Sequence, residues 1–138
     1  MRIVDEYLAA RVVVGSWPDG LPDDDVGLTA SRHWRLLQRI HKPAGGQLST
    51  ILDGLSDGAR MAMRYPHPEV LQVLDPRPLL DDAAALNASF NTGGLLVCES
   101  LAAALVHGRE LWFGSERNVG ERLSETAKTL GIAVHVLD

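Results

Sequence analysis

The chain has a single cysteine, Cys98, in 138 residues, so no intrachain disulfide can form and an ordinary cytoplasmic protein is expected. No apolar run approaches the length of a membrane span, so no membrane role is expected. The opening stretch, MRIVDEYLAARVVVG, carries Asp5, Glu6 and Arg11 and lacks a long uninterrupted apolar segment, so it does not read as a signal peptide. Repeats and low-complexity segments are absent. Positive charge is in deficit: 18 acids face 13 lysines and arginines, for a net charge of -5. That disfavours broad nonspecific nucleic-acid binding, although a local basic rim is compatible with an acidic total. Gly93 and Gly94 lack the lysine-serine or glycine-rich surroundings of a phosphate loop.

What is present suits one domain spanning residues 1–138, with 46% apolar residues and enough chain for a sizeable core. RIV (residues 2–4) reads as the start of a buried strand. YLAARVVVG (7–15) fits a short helix or a continued strand, because Val12 to Val14 are β-branched. SWPDGLPDDD (16–25) is a loop, and VGLTA (26–30) is a short strand. Ser31 is placed to cap a helix over 32–41, with Trp34, Leu37 and Ile40 on its apolar face. A short amphipathic helix follows over 47–57, then a turn and an irregular segment broken by Pro66 and Pro68.

From LQVLD (71–75) onward the pattern is regular. Helices are expected over 79–91 and 97–107 and again in NVGERLSETAKTLG (118–131), with strands at ELWFG (110–114) and IAVHVL (132–137). Helix and strand alternate at βαβ spacing, which predicts an α/β three-layer sandwich around a central, mostly parallel sheet.

Ligands of such sheets bind beyond the carboxyl ends of the strands. Asp5 ends the first strand, Glu116 lies two residues past ELWFG, and Glu99 falls in the first turn of the predicted helix before that strand. Three separated carboxylates at one sheet edge suit Mg²⁺ or Mn²⁺. Acids at these positions also serve as ordinary helix caps and solvated charges. Glu6 is expected to face solvent, and Asp81 and Asp82 to complement a helix dipole.

IVD (3–5), ESLAAALVHG (99–108), LWFGSERN (111–118) and LGIAVHVL (130–137) occur together and in this order. In that respect the chain resembles the PIN-domain ribonucleases, most specifically in its last third. The resemblance implies a PIN-like fold and Mg²⁺- or Mn²⁺-dependent hydrolysis of RNA by clustered carboxylates. It also implies a homodimer and, as in the toxins of bacterial toxin–antitoxin pairs, an antitoxin-like protein partner. Asp5 matches the first acid of the family, Glu99 the third and Glu116 the fourth, the last two where aspartate is usual, and Ser115 falls at the small residue beside it. The second acid belongs in TASRHWRLLQRI (29–40), which contains none; Arg35 or a neighbour stands there. A guanidinium cannot ligate a metal but can hold a phosphate, or pair with Asp5. Two functions therefore stand: a metal-dependent ribonuclease acting through Asp5, Glu99 and Glu116, and a non-catalytic PIN-like interaction or regulatory domain.

The remaining polar residues read more plainly. Cys98 is expected buried and inert. His107 suits a helix C-terminus, and His135 lies within the last strand. Arg32, His33, Arg35, Arg39, His41 and Lys42 make one helix basic: a nucleic-acid face, or a solvated face with Trp34 and Leu37 turned inward. Trp17 either packs back onto the core or enters a partner interface.

Overall fold

A computed structural model of the chain describes residues 1–137. The elements run β1 (Arg2–Val4), α1 (Glu6–Val13), β2 (Val26–Leu28), α2 (Ala30–His41), α3 (Gly46–Leu52), α4 (Asp57–Arg64), β3 (Gln72–Val73), α5 (Arg77–Phe90), α6 (Leu95–Val106), β4 (Glu110–Phe113), α7 (Glu121–Thr129) and β5 (Ala133–Val136). The strands form one sheet in the order β3-β2-β1-β4-β5, and every pairing is parallel. RIV and ELWF are its inner strands: Ile3 lies opposite Leu111 and Val4 opposite Trp112.

Alternation along these strands sorts the core into two faces. Ile3, Leu111 and Phe113 pack with α5, α6 and α7, whereas Val4 and Trp112 pack with Leu8, Ala9 and Val12 of α1. The result is an α/β three-layer sandwich. Ala102, Ala103 and Ala104 let α6 approach the sheet closely, and this helix is apolar on most of its surface because protein surrounds it. A third cluster joins Ala10 of α1 to Leu36, Ile40, Leu52 and Met63 of α2, α3 and α4. Fully buried leucines such as Leu8 and Leu36 contribute roughly 1.5–3 kcal/mol each by leaving water.

Several local expectations are corrected. Thr29, not Ser31, caps α2: its hydroxyl accepts from the Arg32 N–H, so the helix begins at Ala30. Leu36 and Ile40 form the buried stripe of α2, while Trp34 is 60% exposed. The segment expected to be irregular contains α4, capped by Ser56 and anchored by Met63 before Pro66 ends helical structure. Because α5 starts at Arg77, Asp81 and Asp82 fall beyond its first turn and are exposed. Trp17 packs back onto the core, its indole N–H donating to the Leu21 carbonyl at 2.8 Å. Cys98 is buried beside Thr92, as expected.

Candidate functional site

Asp5 sits where β1 turns directly into α1. It is 1% exposed, and three N–H groups donate to its carboxylate. The Leu8 N–H reaches Oδ1 at 2.9 Å, which caps α1. The Gly114 N–H and the Asn118 side-chain amide reach Oδ2 at 3.0 and 2.9 Å. Parallel strands that end at one edge thus bring Asp5 against the loop after β4, as the strand pattern predicts, but the contacts run through Gly114 and Asn118. Glu116 itself is exposed in a 3-10 turn, Glu116–Asn118, whose N-cap is Ser115.

Glu99 is also 1% exposed. It falls in the second turn of α6 rather than the first, because Gly94 is already the N-cap and the helix opens at Leu95. Glu99 Oε1 accepts from both the backbone N–H and the hydroxyl of Ser31, each at 2.8 Å. Ser31 lies in the first turn of α2, so this carboxylate supplies a cap to a helix distant in sequence and complements its dipole. Asp5 and Glu99 both do the work of helix caps, and a divalent ion would compete with these hydrogen bonds. Among the described residues, no three His, Cys, Asp or Glu side chains are grouped so as to hold a metal ion. Glu99 Oε2 is buried without a hydrogen-bond partner.

Glu6 is not solvent-facing: it is 4% exposed and pairs with Arg32, itself 2% exposed. Arg32 Nη1 lies 3.2 Å from Glu6 Oε1, its Nε donates to Ser100 Oγ at 2.8 Å, and its guanidinium lies over the Phe113 ring, 5.2 Å from the centroid. Burial of this pair is tolerated because charge, hydrogen bond and aromatic face are supplied together. The second oxygen, Glu6 Oε2, has no hydrogen-bond partner, and Arg35 Nε lies 3.9 Å away. Arginine therefore engages Glu6 at this edge, not Asp5.

Beyond that pair opens a cleft of about 640 Å³, whose lining includes Glu6, Tyr7, Arg35, Arg39, Arg117 and Asn118. Arg32, Arg35 and Arg39 recur at the spacing that places residues on one helix face; the first is sunk against Glu6, and the other two reach the cleft. Arg117 joins the lining from the loop that Asp5 holds. Among the described residues, neither Arg39 nor Arg117 forms an ion pair. The wall beside Glu6 is Tyr7, whose ring packs so closely on Gly114 that a β-carbon there would collide with it. An acidic protein thus has a cationic cleft with an aromatic wall.

The basic face of α2 is legible in the sequence, whereas the part Arg117 plays in the cleft is not. The burial of Glu6 and the anchoring role of Asn118 carry no comparable signal, since their partners are distant in sequence. Comparison of the chain with family models, with curated proteins and with solved structures finds no match.

Proposed function

We propose that this chain is a PIN-like domain that binds the phosphodiester backbone of RNA in its arginine cleft and does not cut it. The observation that carries this reading is the convergence of Arg35, Arg39 and Arg117 on one cleft, two of them without a protein counter-charge among the described residues. Guanidinium groups match phosphate oxygens in geometry and charge. The acids favour binding over cleavage because Asp5 and Glu99 are engaged by backbone N–H groups and Glu6 by Arg32. Fluorescence anisotropy with a labelled single-stranded RNA in EDTA tests the reading. Binding that weakens with salt is expected, and Arg39→Ala and Arg117→Ala each lower the salt slope by about 0.7. Absence of binding at low salt contradicts it.

A second reading, the Mg²⁺- or Mn²⁺-dependent ribonuclease acting through Asp5, Glu99 and Glu116, is favoured by one observation: Glu99 Oε2 is an unengaged, buried carboxylate oxygen. A metal there would supply Lewis acidity and an activated water. RNA cleavage that needs Mn²⁺ and is lost in Glu116→Gln supports this reading over the first. We extend the proposal to a homodimer, for which the exposed Leu80, Phe90, Leu95 and Val106 of α5 and α6 supply apolar surface. Light scattering at the 15.0 kDa protomer mass at all concentrations contradicts that extension.

A further inference from the structure

Glu6 presents a feature that phosphate binding alone does not use. Glu6 lines the cleft while its side chain is almost fully buried; Oε1 is held by Arg32, and Oε2 is buried with no hydrogen-bond partner, only the more distant Arg35 cation beside it. We infer that Glu6 is the group by which the cleft distinguishes ribose from deoxyribose, its free oxygen accepting the 2′-hydroxyl of the nucleotide whose phosphate Arg35 holds. This inference rests on the RNA-binding reading of the same cleft.

A carboxylate oxygen can only accept hydrogen bonds, and a buried acceptor is stable in a ligand site when the ligand brings a donor. Phosphate cannot satisfy it, being an acceptor of like charge. A DNA sugar-phosphate backbone carries no O–H or N–H donor within the chain, whereas RNA carries one per nucleotide, the 2′-hydroxyl. One free oxygen therefore meets one donor. The neighbouring cation sets the spacing: Arg35 Nε lies 3.9 Å from Oε2, within ion-pair range but too far to hydrogen-bond it. The Arg35 side chain is 39% exposed, so its guanidinium is free to turn outward to a phosphate and uncover the oxygen for the attached sugar. Arg32 keeps the rest of the carboxylate fixed and charged-paired, so Glu6 is pre-set before ligand arrives. Tyr7, held against Gly114, gives that sugar and its base a flat wall.

The test compares three oligonucleotides of one sequence, as RNA, DNA and 2′-O-methyl RNA, binding to the whole chain in EDTA. The 2′-O-methyl strand removes the donor while retaining the ribose oxygen. RNA is expected to bind roughly tenfold to a hundredfold more tightly than either competitor, the range of a hydrogen bond to a charged group. In Glu6→Gln the side chain offers an amide N–H, which a methoxy oxygen accepts as readily as a hydroxyl, so the preference over 2′-O-methyl RNA disappears. Equal binding of all three strands to the wild-type protein overturns this inference and leaves the RNA-binding reading intact. Binding of none of them overturns both. The wild-type comparison decides the matter even if Glu6→Gln does not fold.

Discussion

Asp5 and Asn118, 113 positions apart, are joined by a 2.9 Å hydrogen bond from the asparagine amide to the aspartate Oδ2. With the Gly114 N–H on the same oxygen, this bond fixes the loop that carries Arg117 to the end of β1. Asp5 thus acts on the cleft by positioning that loop. Asp5→Asn replaces an acceptor by a donor facing N–H groups and is expected to destabilise the protein by about 1–3 kcal/mol in metal-free buffer. Urea denaturation in EDTA measures this. Carboxylates gathered for an absent cation repel one another, so a gain in stability on the same substitution would instead mark Asp5 as part of a charge-strained metal site.

The buried pair of Arg32 and Glu6 gives the next prediction. Arg32→Met leaves a buried carboxylate without its cation and is expected to cost about 3–5 kcal/mol. Adding Glu6→Gln to that variant removes the stranded charge and recovers most of the loss. The measurement is a double-mutant cycle by chemical denaturation. Additive effects of the two substitutions would show that the contact carries no coupling.

How far the sequence reveals this architecture depends on how local each cause is. RIV and ELWF are readable as inner strands because apolar runs bounded by polar residues need nothing else to identify them, and the βαβ alternation then yields a parallel sheet. Helix α4 escapes notice because its apolar signal is weak, with Met63 its only buried residue, and because Pro66 and Pro68 follow closely. Trp34 misleads because its hydrophobicity suggests burial, while Leu36 and Ile40 already fill the stripe that faces α1 and α3. Glu6 is misread for a different reason: a glutamate is normally solvated, and only Arg32, 26 positions later, makes its burial affordable. The lack of any acid in α2 is visible in the sequence, but the stack of Arg32 on Phe113 and its bond to Ser100 are properties of the folded edge.

Gly114 tests the cleft wall. A β-carbon at this position meets the Tyr7 ring, so Gly114→Ala is expected to displace the ring and to cost about 1–3 kcal/mol, as overpacking does. Combining it with Tyr7→Ala removes the clash, and denaturation of the single and double variants shows whether the penalty vanishes. A penalty from Gly114→Ala that persists without the ring would contradict the assignment.

His107, at the C-cap of α6, supplies a pH dependence. Burial, and secondly the positive N-terminal amino group, hold its imidazole below the usual value of 6.5. A histidine with a depressed folded pKa takes up protons more readily when unfolded, so the unfolded state gains as pH falls below about 6.5. Stability contributed by the neutral ring is present above that value and is lost as pH drops through the lower folded pKa. Thermal denaturation between neutral and mildly acidic pH should show this decline, and His107→Gln should flatten it. An unchanged slope in the variant would assign the decline to other groups.

The most direct test of the central claim follows the binding and the length of one RNA together. An end-labelled single-stranded RNA is incubated with the protein in Mn²⁺ and in EDTA; anisotropy reports binding, and a denaturing gel reports strand length. If the cleft binds the backbone through Arg35, Arg39 and Arg117 without cutting, affinity is similar in the two buffers, falls in Arg39→Ala and Arg117→Ala, and the RNA stays full length. Shortened RNA that appears only with Mn²⁺ and disappears in Glu116→Gln would contradict this account.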